Sequence, residues 1–130
     1  MTIDIMIEFD NDEPGALGHV ATALSDAGIN ISAATHLRKG GPAQLHILVP
    51  HAEPVRHALA VVHTVTITKE REVVVVQATD RPGELAEMAC KIGGAGVDID
   101  LVYVATGSRI VFGSPDIEGL KTALASFSGH

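Results

Sequence analysis

The chain has 130 residues, 46% of them hydrophobic and only 3% aromatic, with no Trp. This composition excludes disorder and predicts an aliphatic core of Val, Ile, Leu and Ala in small, closely packed elements. A net charge of −7, with 9 Lys and Arg scattered along the chain, offers no basic face to nucleic acid or to anionic lipid.

Cys90 is the only cysteine, so no intramolecular disulfide forms and a reducing, cytoplasmic setting is expected. The opening residues MTIDIMIEFD have neither a basic n-region nor an apolar h-region, so no secretory signal is expected there. The longest apolar run, Val73 to Val76, is a strand's length and far too short to span a bilayer.

Ile3, Ile5 and Ile7 alternate with other residues, the period of a half-buried strand. Asp12 stands two residues ahead of Pro14. That spacing predicts an N-cap followed by Pro in the first turn of a helix. On that helix Leu17, Val20, Ala21 and Leu24 share one face, and Gly28 takes the C′ position. A second strand is expected where Ile29, Ile31, Ala33 and Leu37 alternate with Asn30, Ser32, Ala34 and His36. Gly40-Gly41-Pro42 forms the turn, and Leu45, Ile47 and Val49 the return strand. A turn centred on Gly41 places Leu37 opposite Leu45 and His36 opposite His46. Pro50 ends this strand, a short helix follows over 51–60, and Val61 to Lys69 reads as a fourth strand.

The β-α-β-β-α-β order then recurs, because the chain repeats itself. DEPGALGHVATALSDAGINI begins at Asp12 and DRPGELAEMACKIGGAGVDI begins at Asp80, matching at an offset of 68 throughout. Asp12, Pro14, Gly15, Leu17, Ala21, Ala27, Gly28 and Ile31 return as Asp80, Pro82, Gly83, Leu85, Ala89, Ala95, Gly96 and Ile99. A second block, PHAEPVRHALA from Pro50, matches PDIEGLKTALA from Pro115 at an offset of 65. The chain is therefore expected to be two tandem units, 1–70 and 71–130. The predicted class is α+β: two ferredoxin-like βαββαβ units, each with an antiparallel sheet and its helices on one face. Only FSGH follows the last helix of the second unit, so its fourth strand is missing. That leaves Val73–Val76 beside an open edge that a partner chain would cover.

Asp-x-Pro-Gly-x-Leu at the helix start, followed by Ala27-Gly28-Ile29-Asn30-Ile31, resembles the ACT domain family. The second unit carries the same pattern in Asp80 to Leu85 and in Ala95-Gly96-Val97-Asp98-Ile99. The resemblance implies units that pair side by side through their second strands. It also implies amino-acid effectors held at the interface, by the loop before the first helix and the start of the second strand. Carried over position by position, the binding residues are Asp12, Gly15, Ala16, Leu17, Asn30 and Ile31 in the first unit. In the second they are Asp80, Gly83, Glu84, Leu85, Asp98 and Ile99. The chemistry is coherent. Unpaired first-turn N–H groups seat a carboxylate, Gly15 and Gly83 admit a ligand to the backbone, Asp12 and Asp80 accept from an α-ammonium, and Asn30 both donates and accepts. Asp98 in place of Asn30, and a carboxylate at Glu84, oppose an anionic ligand. The first unit is thus expected to be the better seat and the second altered or silent. Each Asp and Gly taken singly also reads as an ordinary helix cap.

Other features carry less. The 7 histidines invite a metal reading, and His36 and His46 across a hairpin would offer two ligands. A site needs three or four, and His51, His57 and His63 do not share a helix face, so no metal is expected. Gly93-Gly94-Ala95-Gly96 ends a helix instead of opening one, unlike a phosphate loop. Cys90 reads as a packed thiol and Tyr103 as strand packing. The expected function is a non-enzymatic, cytoplasmic regulatory protein that binds an amino acid, forms a homodimer, uses no cofactor and signals to a partner enzyme or regulator. The alternatives are an oligomerisation module without ligand, and an acylphosphatase-like enzyme, for which Arg81 is the only support.

Overall fold

Alternation sets the first strand, β1 (Thr2–Phe9), where Ile5, Ile7 and Phe9 are buried on one face. The computed structural model describes residues 2–10 and 13–127. After β1 come α1 (Ala16–Asp26), β2 (Ala33–Leu37), β3 (Gln44–Val49), α2 (Glu53–Leu59) and β4 (Val65–Gln77). Then follow α3 (Glu84–Gly94), β5 (Leu101–Ala105), β6 (Arg109–Gly113) and α4 (Ile117–Leu124). The architecture is α+β with antiparallel strand pairing. The chain divides into two compact units, Thr2–Arg71 and the segment from Glu72 onward.

In the first unit the strand order is β2-β3-β1-β4. Ile5 pairs with Ile47 and Ile7 with Leu45, so the buried residues of β1 and β3 share a face. Onto it pack Val20 and Leu24 of α1 and Val55 and Leu59 of α2. In the second unit the order is β4-β6-β5, and the core repeats the same plan. Val74, Val76, Ile110 and Phe112 from the strands meet Met88 and Ile92 of α3 and Leu120 and Leu124 of α4. These helix residues stand at the repeat positions of Val20, Leu24, Val55 and Leu59.

Five expectations from the sequence are corrected. Asp80 does not cap its helix: the N-cap of α3 is Gly83 at φ 93, with no side-chain cap bond, and Gly15 at φ 92 takes that place in α1. Pro-Gly forms a separate turn ahead of each helix, closed by the Ala16 amide donating to the Glu13 carbonyl at 3.1 Å. Leu17 and Ala21 leave the buried face, which runs instead through Ala16, Val20, Ala23 and Leu24. The second strand starts only at Ala33: the Gly28 and Ile29 amides are spent closing the helix, and the first bond to β3 is from the Ser32 amide to the Leu48 carbonyl at 3.3 Å.

The fourth correction concerns register. Leu37 pairs with Gln44, His36 with Leu45 and Thr35 with His46, one residue away from the expected pairing. Slipping by one residue turns every side chain to the other face. His36 therefore points to the helix side, its ring 5.4 Å from Phe9. His46 points to the opposite side, where its Nδ1 lies 2.9 Å from the Asp4 carboxylate. The two histidines thus cannot share a metal, and the described residues contain no group of three or more metal-ligating side chains. Finally, the strand expected from Val61 to Lys69 and the Val73–Val76 strand of the second unit fall in one 13-residue strand, β4, which begins at Val65. No Gly, Pro or Asn interrupts Val65–Gln77, so nothing in that run makes a turn.

Helix ends are as the repeat implies. The Ile29 amide donates to the Leu24 carbonyl at 3.0 Å and the Gly28 amide to Ser25 at 2.9 Å. Val97 and Gly96 repeat these bonds to Ile92 and Gly93 at 3.2 and 3.0 Å. Both are Schellman closures, and each glycine sits at φ 74. Nothing lies within 4 Å of a Cβ added at Gly28, so the cost of a side chain there is purely conformational. Gly28→Ala should destabilise by about 1 kcal/mol. Gly18, inside α1 and also open, should do the reverse: Gly18→Ala should stabilise by up to about 1 kcal/mol. Thermal melts of the two variants should move in opposite directions from the parent.

Candidate functional site

The direction of the strands decides which predicted residues meet. β1 and β2 both run antiparallel to β3, so the end of β2 lies at the end of the unit where β1 leaves and α1 begins. There Gly15, Ala16 and Leu17 border a cavity of about 320 Å³ together with Phe9, Glu13, Pro14, His36, Arg38 and Ala43. Asp12 lies outside the described residues. Leu17 is 40% exposed and so presents an apolar surface at the helix start instead of entering the core.

Asn30 stands at the other end of the unit. It borders a different cavity, of about 460 Å³, with Gly28, Ser32, Pro50 and His51. Ile31 is half-buried against the first core. Between Gly15 and Asn30 runs the 11-residue α1, about 16 Å long at 1.5 Å per residue. One small ligand inside one unit cannot touch both.

The first cavity has a polarity the sequence reading missed. Glu13 places an acceptor beside it, and Arg38 and the α1 N-terminus place positive charge. His36, first weighed as a metal ligand, lines it because of the one-residue register. Topology was the missing signal, since nothing in the local sequence brings residue 38 beside residue 13.

The second unit keeps the backbone and changes the chemistry. Gly83 at φ 93 and ψ −12 reproduces Gly15 at φ 92 and ψ −8. Yet Glu13, Ala16, His36 and Arg38 are replaced at the repeat offset by Arg81, Glu84, Val104 and Thr106. Glu84 is only 8% exposed. Its carboxylate accepts from the Thr79 amide at 2.9 Å to both oxygens, from the Asp80 amide at 3.1 Å and from the Thr79 hydroxyl. Arg81 Nε lies 3.6 Å from it. Asp80 itself is held at φ 58, a conformation few non-glycine residues adopt. Leu85, Asp98 and Ile99 are exposed.

The hydroxyl and then the amide of Thr79 hold the Glu84 carboxyl below the ordinary carboxylate range, against the opposing effect of burial. A depressed folded pKa means that its stabilisation is complete above the unfolded pKa and is lost as pH falls through the folded one. The melting temperature of Glu84→Gln should therefore lie below that of the parent at neutral pH. The gap should close on acidification to below the ordinary carboxylate range, and parallel melts across pH check this.

Comparison with known proteins places this geometry. Residues 10–65 match the family profile of the ACT domain. No curated protein sequence matches the chain. Among solved structures, a protein of Bacteroides thetaiotaomicron superposes with a TM-score of 0.77 at 21% identity, over 95% of this chain and 85% of that one. The regulatory subunit of aspartate kinase from Thermus thermophilus, in a ligand-free form, gives 0.70 at 19% identity over 98% and 93%. The corresponding subunit from Thermus flavus gives 0.66 at 18% over 95% and 90%. At such identities these likenesses speak to fold. The stretch matched by the ACT domain profile, residues 10–65, takes in α1, β2, β3 and α2.

Proposed function

We propose that the chain is a regulatory protein, not an enzyme, built as two tandem ACT units over 1–70 and 71–130, that binds an amino acid at the first unit. One observation carries this reading: the cavity at the start of α1 matches a zwitterion. Glu13 would meet an α-ammonium, while Arg38 and the N-terminus of α1 would meet a carboxylate. Phe9, Ala16, Leu17 and Ala43 form apolar walls for a small side chain. The Thermus neighbours, regulatory subunits of aspartate kinase, are consistent with such a job.

Dimerisation gives Asn30 its place. β2 is the outermost strand of the first unit, and Leu37 on it is exposed. Two copies pairing antiparallel along β2 set the start of one strand beside the end of the other. Asn30 of one copy then approaches the cavity of its neighbour, and the ligand closes the interface. A partner enzyme or regulator reads that closure.

A thermal-shift screen against the twenty amino acids tests the proposal. A ligand at 100 times its dissociation constant should add about 2.7 kcal/mol, or several degrees. Arg38→Ala should abolish the shift by removing the carboxylate's counter-charge. Asn30→Ala should abolish it only if the ligand bridges two copies, and should then also abolish ligand-induced dimerisation in sedimentation. A flat screen would overturn the sensor reading.

A further inference from the structure

We propose that the cavity at the C-terminal end of α1 is a second small-molecule site, one that takes an uncharged planar heterocycle of the nucleobase kind. The inference goes beyond the amino-acid reading, which concerns the opposite end of the helix.

The cavity holds about 460 Å³, inside the span of roughly 300–1,000 Å³ typical of small-ligand pockets. A comparison of the repeats shows why it exists. In the second unit the Asp116 carboxylate accepts from the Gly119 amide at 3.0 Å, and the Asp116 amide donates to the Ser114 hydroxyl at 3.1 Å. Only glycine permits this at position 119. A Cβ there would collide with the Asp116 carboxylate and stand 3.0 Å from Cγ2 of Val97, which is buried. At the repeat offsets the first unit has Pro54 for Gly119, His51 for Asp116 and Ile29 for Val97. The Pro54 ring excludes so close an approach. The turn into α2 therefore does not close on Ile29, which is left half-buried with the cavity between them.

The same comparison sets the chemistry. Asp98, Asp100 and Asp116 of the second unit are replaced by Asn30, Ser32 and His51. Among the described residues that border the cavity there is no Asp, Glu, Lys or Arg. A cation would be desolvated there without a carboxylate, and an anion without a basic side chain. Ala27 and Gly28 bring the end of α1 to the cavity, and the partial negative charge of a helix C-terminus disfavours an anion further. A neutral ligand remains. Ile29, Val49, Pro50 and Pro54 suit an apolar body. The Asn30 amide, the Ser32 hydroxyl and the His51 imidazole each donate and accept. A flat ring with donors and acceptors along its edge, able to stack on an imidazole, is the ligand that such a wall recognises.

Thermal-shift and saturation-transfer measurements test it with adenine, hypoxanthine and uracil at millimolar concentration, and with adenosine monophosphate as the charged control. At least one base should raise the melting temperature saturably, by a few degrees well above its dissociation constant. The nucleotide should bind no tighter than adenine. The double variant His51→Asp, Pro54→Gly installs the arrangement found at α4. It should fold with an unchanged or higher melting temperature and lose the base response. If it does not fold, Ser32→Asp carries the readout and should weaken binding by roughly tenfold, since its charge would have no partner in the cavity. Silence from all three bases, a full response in the folded variant, or a nucleotide bound far tighter than its base would each overturn the proposal. No amino acid is present in this experiment. A flat amino-acid screen would remove the sensor reading without altering the base result, and failure of the bases would leave the sensor reading intact.

Discussion

The left-handed backbone at Gly15 and Gly83 is the constraint on which both units depend. It turns the chain from the end of a strand into a helix through a Pro-Gly turn, and so leaves the helix without a side-chain cap. An uncapped helix start has donors to spare, and something must satisfy them: water, a ligand or a side chain. An Asp cap in the usual place would have used them up.

From that shared backbone the two units diverge through very few side chains. Ala16 stands where the second unit has Glu84, whose carboxylate accepts from the Thr79 and Asp80 amides, and Glu13 stands where it has Arg81. The scaffolds beneath are alike: paired strands under two helices, with the same repeat positions buried. Even the ties between the second helix of each unit and β4 correspond. Arg56 meets Glu70 at 2.8 Å and Lys121, at the matching position, meets Glu72 at 3.0 Å. Both pairs are well exposed, so they contribute little to stability and more to orientation. Glu72 also raises the Lys121 pKa, with burial opposing it.

Much of the fold was legible because duplication prints every structural signal twice. The helix-closing glycines were readable singly, and their recurrence at one offset made the unit length readable too. Register was not. The loop between Leu37 and Gln44 contains Gly40, Gly41 and Pro42, and any of several turn centres is compatible with those residues. The alternation of β2 does not arbitrate either, because an outer strand is mostly exposed on both faces. That ambiguity hid His36 among imagined metal ligands. β4 was hidden for a separate reason: the charged residues Lys69 to Glu72 look like a linker between two strands.

By itself the sequence determined the four helices and their closing glycines, the strands that pair with them and most of the buried positions. These follow from short-range physics: period-2 and helical spacing, proline's fixed φ and glycine's freedom. Only the tertiary structure decided that Gly15 and Asn30 lie at opposite ends of one unit, that His36, Arg38 and Glu13 converge, and that Glu84 turns back on its own loop. Each of those depends on strand direction, on the parity of a hairpin register, or on where a flexible side chain finds its partners. Such long-range choices are settled by packing, and no local pattern encodes them.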